Sequence, residues 1–366
     1  MKIAVVGCGQ IADAHVMEAL KIPQVNIVGV CDQNWHMANQ LAVRFCLRPF
    51  TDLDVMLSET QPDVVHVTTP PLSHYAIAKK VLNYGCHLYL EKPFTAYLWE
   101  AIELGELARK KQRLLCVGHN QAFAPGFLRL QSLYERGELG EIVHVDGFMG
   151  YNLAGPFGSI IMGDPTHWVH QLPGGLAQNN ISHPLSLILP FLTDEEPQVR
   201  SVGLRKRLPL FGDARDDLFD ELRATIVGAS CTANLTFSCH ARPVHTYVVV
   251  HGTKAQALFH GESKTLRLVR GATLPGPFGR VQWARNDKKE AQREYRQQVG
   301  GFLRAKLFFF DGMNTLFRQF YGAIAGKNAE PIPVSESIRA TRIMEKLFES
   351  CEPMITTDRR GATVCY

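Results

Sequence analysis

Several signals are missing from this chain, and each absence excludes something. No two of its nine cysteines form a CxxC pair, so neither a zinc ribbon nor a dithiol redox motif can be read. No stretch approaches the roughly 18 apolar residues that a membrane helix needs. The start, MKIAVVGCGQIADAH, turns to Gly, Gln and Asp after a short apolar run, without the long apolar core of a signal peptide. No dense basic tract is present: Lys+Arg 39 against Asp+Glu 35 leaves a net charge of +4, too mild to suggest nucleic acid. There is no internal repeat and no low-complexity tract.

What is present is a chain of 366 residues, 46% hydrophobic and 20% charged. That composition is globular, and the length suits two domains with a core large enough to need no disulfide or metal. Cys8, Cys31, Cys46, Cys86, Cys116, Cys231, Cys239, Cys351 and Cys365 are scattered, as buried thiols in a reducing compartment would be. A soluble, cytoplasmic protein is expected.

The first third alternates strand and helix signals. Strands are expected at 3–6, 26–30, 63–67, 87–90 and 114–117, with helices at 11–20, up to 45, 73–84 and up to 110. Such alternation implies a doubly wound parallel sheet covered on both faces. After about residue 120 the pattern changes. Longer strands at 141–151, 198–207, 222–239, 245–251 and 266–270 suggest a largely antiparallel sheet, with helices near 125–136 and 183–192. The segment 273–279 and the basic stretch 280–296 read together as an irregular insertion. Helices at about 313–326 and 334–350 complete the chain.

Gly7-Cys8-Gly9-Gln10-Ile11-Ala12 lies between the first strand and the first helix. There Gly7 permits a tight turn, Gly9 lets a pyrophosphate approach the backbone, and Ala12 stays small for helix–strand packing. The N–H groups of the helix start, from Gln10 and Ile11 onward, are free for phosphates. Asp32 ends the second strand, where a carboxylate accepts ribose hydroxyls and repels a 2′-phosphate, so NAD is favoured and NADP is the second possibility. Thr68-Thr69-Pro70-Pro71, with His74 on the next helix, and Glu91-Lys92-Pro93 follow the third and fourth expected strands. Both lie at carboxyl ends, where ligands bind in open α/β sheets. A lysine held there could donate a hydrogen bond to a substrate oxygen.

Gly174 and Gly175 open a segment that enters a helix which Pro184 could help to start. On it Asn179 and His183 are four apart and share one face, and a histidine there can exchange a hydroxyl proton. His167, His170 and His183 show no metal-ligand spacing, so no metal site is expected. The basic stretch containing Arg280, Arg285 and Arg293 interleaves with Asp287, Glu290 and Glu294 and reads as a solvated helix face.

Taken together, GCGQIA with His15, Asp32, TTPPLSH, EKP and the Gly-Gly…Asn…His segment resemble the glucose–fructose oxidoreductase / inositol dehydrogenase / rhizopine-catabolism family. The resemblance covers nearly the whole chain. It implies an α/β protein with a Rossmann NAD(P)-binding domain at 1–120. At 121–366 it implies a substrate-binding and oligomerisation domain with a large, mostly antiparallel open sheet, assembled as a dimer or tetramer. It also implies an oxidoreductase of sugars, polyols, inositols or sugar derivatives, with Lys92 and His183 as catalytic groups and Asn179 positioning. Net glycosidase, lyase or epimerase chemistry through transient oxidation, and a non-catalytic dinucleotide sensor, are the alternatives. Cofactor contacts are expected at Gly7, Gly9, Gln10, Ile11, Ala12, Asp32, Thr69, Pro70, His74, Glu91, Lys92, Pro93 and Asn120. Substrate contacts are expected at His167, Trp168, Asn179 and His183, with the Trp168 ring stacking on a sugar face.

The chain departs from the family pattern where Asn179 and Ser186 replace aspartates. It departs again at Gln121 and Ala122, one of which is commonly arginine. A neutral amide orients His183 without stabilising its charged form.

Overall fold

A β-branched run that stops at a glycine is what makes the first strand, and strand–helix repeats continue along the first third of the chain. In a computed structural model, which describes residues 1–205, 219–303, 310–353, 356–357 and 363–364, these repeats form one of two compact units. Cys365 and the end of the strand expected at 198–207 lie outside the described residues.

The first unit comprises Met1–Asn120 and Gly312–Glu345. Its elements run β1 (Lys2–Val6), α1 (Gln10–Leu20), β2 (Asn26–Cys31), α2 (Trp35–Phe45), β3 (Pro49–Phe50) and α3 (Leu53–Thr60). They continue with β4 (Val64–Val67), α4 (Pro71–Tyr84), β5 (His87–Leu90), α5 (Leu98–Lys111) and β6 (Leu115–Val117). The strands lie in the order β3-β2-β1-β4-β5-β6, all parallel, so the order reverses beside β1. That reversal is where a doubly wound sheet opens a crevice for a ligand. Val64 and Val65 are fully buried, as a central parallel strand requires. Short β3 and α3 have no counterpart in the sequence expectation, because a two-residue strand carries no periodicity to read.

The second unit comprises Gln121–Asp311 and Lys346–Tyr366. It begins with α6 (Pro125–Glu135), β7 (Ile142–Gly150), α7 (Pro156–Gly163) and α8 (Gly175–Ile188). Then come β8 (Gln198–Leu204), β9 (Glu221–Val227), β10 (Thr232–Ser238), β11 (Thr246–Gly252), β12 (Gln256–His260), β13 (Thr265–Val269) and α9 (Gly276–Leu303). After α10 (Asp311–Ile324) and α11 (Val334–Glu349), three short strands close the chain: β14 (Cys351–Pro353), β15 (Thr356–Thr357) and β16 (Thr363–Val364). The large sheet has eight strands in the order β13-β12-β11-β7-β10-β9-β8-β14. Only the β7–β10 and β8–β14 pairings are parallel, so the sheet is mostly antiparallel, as expected. Helix α8 packs onto β7, β10 and β11. A Cβ at Gly147 on β7 would stand 2.7 Å from Ile188 Cδ1, so glycine there is what lets the helix seat.

Four expectations are corrected. Residues 280–296 are not an irregular insertion but belong to α9, a helix of 28 residues. Pro277 sits in its first turn, where a missing N–H costs nothing, and only Gly279 is buried. Arg267 on β13 tethers the helix by bonds to Glu294 at 2.6 Å and Asp287 at 3.3 Å. Helix α8 starts at Gly175, so Pro184 lies inside it and leaves the Asn180 carbonyl without its helical donor. The stretch expected as one strand over 222–239 is the hairpin β9–β10, and β12 was not anticipated.

The fourth correction concerns residues 312–345, which pack into the first unit rather than the second. Asn314 and Arg318 on α10 donate to the Glu18 and Lys21 carbonyls at 2.9 and 3.0 Å, satisfying the end of α1. Ile338 on α11 fills the space that Gly105 leaves on α5. Amphipathic periodicity marks these helices in the sequence but does not say which core they cover. Among the described residues no helix is long and apolar enough to cross a membrane.

Candidate active site

In the first unit the candidate residues converge on the carboxyl ends of the parallel strands. Gly7 follows β1 with φ +92°, and a Cβ there would come within 2.7 Å of Thr69 Cγ2 and 2.8 Å of the Thr69 nitrogen. Only glycine fits, because the loop after β4 crosses directly above it. At Gly9 nothing lies within 4 Å of the place a Cβ would take. That open cradle stands over the start of α1, whose N-cap Gly9 supplies no side-chain cap to the first N–H groups. Ala12 is fully buried, leaving room for no larger side chain, whereas Gln10 is exposed and Ile11 partly so. The arrangement fits a pyrophosphate.

Asp32 is tied to the same loop. Its Oδ2 accepts the Cys8 backbone N–H at 2.8 Å, and its Oδ1 accepts that of Asn34 at 2.8 Å. The carboxylate is thereby held beside the glycine turn while remaining partly exposed. Burial, with Asp32 next to it, pushes the Cys8 thiol up to about 12, so Cys8 stays protonated and is no nucleophile.

His74 is fully buried. Its Nε2 points at the Thr69 carbonyl at 2.8 Å, and its Nδ1 at the carbonyls of Pro93 and Phe94 at 3.1 Å each. It therefore braces the loop after β4 against the loop after β5, and its ring nitrogens are engaged by backbone. Burial lowers its pKa against the opposing pull of those carbonyls and of Glu91. Thr69 and Pro70 lie on the braced loop, where the Ser73 hydroxyl donates to Thr69 Oγ1 at 2.8 Å.

Glu91 and Pro93 are buried and Lys92 is half-buried. Burial alone would raise the Glu91 carboxyl. The hydrogen bond from His15, with help from Lys92, overcomes this and holds it below the usual carboxylate range. Burial likewise lowers the Lys92 ammonium, and the Glu91 charge opposes that fall. Glu91 and Lys92, whose charges oppose the effect of burial on one another, thus share one turn at the end of β5.

The sequence marks His15 as part of the glycine-turn motif but does not show that it, His66, Tyr89 and Tyr321 stand behind this turn. His15 Nε2 lies 2.9 Å from Glu91 Oε1, His15 Nδ1 lies 3.0 Å from His66 Nδ1, and His66 Nε2 lies 2.8 Å from the Tyr321 hydroxyl. The Tyr89 ring stacks on His66 at 4.8 Å, and its hydroxyl donates to Asn120 Oδ1 at 2.8 Å. His119 was missed as well. It is buried, neither ring nitrogen has a hydrogen-bond partner among the described residues, and burial pushes its pKa down to about 4. An unpartnered buried polar group costs about 1–3 kcal/mol, more than an average hydrogen bond returns. The signal for His66 was present in the sequence, as a lone polar residue inside the wholly apolar strand Val64–Val67.

In the second unit, Asn179 and His183 are the two of 14 residues on α8 that are not buried. The helix is embedded on every other side and offers one polar pair, one turn apart. Ser186, where the resemblance implies aspartate, turns its hydroxyl back to the His183 carbonyl at 2.7 Å and supplies no charge. The short turn Trp168–Gln171 packs against α8, with the rings of His167 and Trp168 5.2 Å apart and both partly exposed. His170 differs in role, its Nε2 lying 3.0 Å from the Ile161 carbonyl. Burial, and then His170, lower the pKa of His167.

A reversed parallel sheet order, a glycine turn over an uncapped helix start and a carboxylate after β2 define a dinucleotide-binding α/β protein. Comparison with known proteins places it more closely. Residues 1–119 match the model of the oxidoreductase family with an NAD-binding Rossmann fold, and residues 127–258 match the GFO/IDH/MocA C-terminal domain. The chain belongs to the GFO/IDH/MocA oxidoreductase family.

The chain is 31% identical over 131 residues to a UDP-N-acetylglucosamine 3-dehydrogenase of Acidithiobacillus ferrooxidans, covering 36% of this chain and 41% of that protein. It is 32% identical over 144 residues to a D-glucoside 3-dehydrogenase of Escherichia coli, covering 39% and 41%. The chain spans less than half the length of the curated relatives it matches here. The crystal structure of the WlbA dehydrogenase from Bordetella pertussis, in complex with NADH and UDP-GlcNAcA, superposes with a TM-score of 0.76. It covers 100% of this chain and 97% of that one at 17% identity, a likeness of fold.

Proposed function

We propose that this protein is an NAD-dependent dehydrogenase acting on a secondary hydroxyl of a sugar, polyol or sugar derivative. The observation that carries the reading is Lys92, half-buried at the end of β5 beside an ionised Glu91, in the same row of strand ends as the Gly7–Ala12 turn and Asp32. A lysine in that row serves chemistry next to a dinucleotide, whereas a structural surface lysine needs no buried carboxylate.

Gly7, Gly9 and the first N–H groups of α1, at Gln10 and Ile11, would receive the pyrophosphate. Asp32 would accept the ribose hydroxyls, and Thr69, Pro70, Pro93 and Asn120 line the strand ends along which the rest of the dinucleotide would lie. When bound, the nicotinamide supplies the hydride acceptor or donor. Lys92 donates a hydrogen bond to the reacting oxygen, and burial lowers its pKa against the opposing charge of Glu91. His119 offers one donor and one acceptor, as a neutral imidazole, to a polar group of the bound ligand. On the second unit His183 exchanges the hydroxyl proton, Asn179 orients it, and Trp168 with His167 holds the sugar.

The named activities of the A. ferrooxidans and E. coli relatives support a ring hydroxyl of a sugar or nucleotide sugar as the reacting group. The free thiols of Cys8, Cys31, Cys46, Cys86, Cys116, Cys231 and Cys351 support a reducing compartment such as the cytoplasm. The test is Lys92→Ala. Turnover falls by about 10²–10⁴ while dinucleotide affinity stays within about twofold. Retained turnover would overturn the reading.

A further inference from the structure

The three hydrogen bonds behind the Glu91 turn admit a donor–acceptor accounting that uses each ring nitrogen once. Tyr321 and both histidines are buried, and burial holds the Tyr321 phenol far above its usual pKa, so it keeps its O–H and needs an acceptor. That acceptor is His66 Nε2 at 2.8 Å. A neutral His66 with an accepting Nε2 carries its proton on Nδ1 and donates it to His15 Nδ1 at 3.0 Å. His15, accepting at Nδ1, carries its own proton on Nε2 and donates it to Glu91 Oε1 at 2.9 Å. All donors point the same way and end on the carboxylate. The reverse polarity would require a second proton on His15, because an ionised Glu91 can only accept. That would place a cation in the core beside the His66 imidazole, whose pKa burial already pushes well down.

The other oxygen of Glu91 accepts the backbone N–H of Lys92 at 3.2 Å, so the chain ends on the peptide that carries the lysine. We propose that His15, His66 and Tyr321 are positioning residues for Lys92, acting through a one-directional buried hydrogen-bond chain that fixes the orientation and charge of Glu91. This rests on the reading that Lys92 works in the reaction. The titratable groups facing Glu91 are His15 from α1, Lys92, Tyr89 from β5, His74 from α4 and His119 after β6. Of these, His15 is the one whose side chain donates to the carboxylate in the geometry described.

Two measurements test the proposal on the full chain. Long-range ¹H–¹⁵N correlation spectra at neutral pH read the histidine tautomers without any substrate. His15 is expected as the Nε2–H form and His66 as the less common Nδ1–H form. In Tyr321→Phe, which keeps the ring packing, the His66 Nε2 loses its donor and the His66 pattern changes, with that of His15 following. A His66 proton on Nε2 in the wild type would overturn the chain.

The second readout is the pH–rate profile. Weakening the support of Glu91 in Tyr321→Phe or His15→Asn removes part of the charge that opposes the burial of Lys92. The Lys92-dependent limb therefore moves to lower pH, by about half a unit or more, and kcat falls about 3–10-fold with dinucleotide Kd within about twofold. An unmoved limb with folded variants overturns the positioning role. Full turnover in Lys92→Ala would instead overturn the function assigned to Lys92, and the tautomers would still decide the chain.

Discussion

The backbone N–H of Cys8 donates to Asp32 Oδ2 at 2.8 Å, which joins the glycine turn after β1 to the carboxylate after β2 as one unit. Cofactor choice and phosphate binding are therefore coupled. Asp32→Ser removes the like charge that a 2′-phosphate would meet and loosens the turn. NAD affinity should fall about tenfold and the NADP/NAD ratio of kcat/KM should rise at least as much, both measurable by steady-state kinetics and fluorescence titration. An unchanged ratio would remove Asp32 from cofactor selection.

Gly7→Ala should fail for two independent reasons. The backbone stands at φ +92°, and the added methyl would overlap Thr69, whose main-chain nitrogen lies 2.8 Å away. Neither a rotamer change nor a small shift relieves a clash with backbone. We expect a loss of about 2–4 kcal/mol in denaturant unfolding, together with loss of dinucleotide binding. Gly9→Ala meets open space and should leave stability almost unchanged while weakening dinucleotide affinity.

Acid should destabilise the first unit before its carboxylates protonate. His66, His74 and His119 are buried and their pKa values are lowered by burial, His119 to about 4. The unfolded chain binds protons at these positions below pH about 6.5 and the folded chain does not, so stability falls as pH drops through that value. Each histidine contributes a slope of about 1.4 kcal/mol per pH unit between its unfolded and folded pKa. Urea unfolding at pH 7.5 and 5.5 should show the loss, and His119→Phe should reduce it by one histidine's share. A midpoint independent of pH would contradict the burial of neutral imidazoles.

His119→Phe also separates stability from function. It removes two unpartnered buried nitrogens, so the melting temperature without ligand should rise, by roughly 1–3 kcal/mol equivalent. Affinity for dinucleotide or substrate should fall several-fold. If neither affinity moves, His119 does not face a ligand.

Much of the site was legible because its residues obey local rules. A β-branched run stopping at Gly7, an acid at the end of β2 and Glu91-Lys92-Pro93 after β5 each declare position and chemistry within a few residues. The Asn179–His183 spacing was equally plain, although the helix that carries it begins at Gly175 and runs through Pro184. Illegible were the relationships across the fold. His15 and His66 are 51 residues apart in sequence, and Tyr321 is 255 residues from His66. Nothing local links them; only the placement of α10 in the first unit brings the phenol to the imidazole. Helix α9 was misread for the opposite reason, since its Pro and Gly at the start resemble a loop and its charged surface offers no apolar stripe.

The proposed activity joins NAD binding to the use of Lys92 in oxidising or reducing a sugar hydroxyl. The most direct test denatures freshly purified protein, identifies any released dinucleotide and its redox state, and then follows NADH absorbance with NAD and a panel of sugars and nucleotide sugars. NAD is expected to bind, NADH to accumulate with at least one member of the panel, and Lys92→Ala to abolish the accumulation without abolishing binding. A protein that releases no dinucleotide and binds none on titration would contradict the proposed activity.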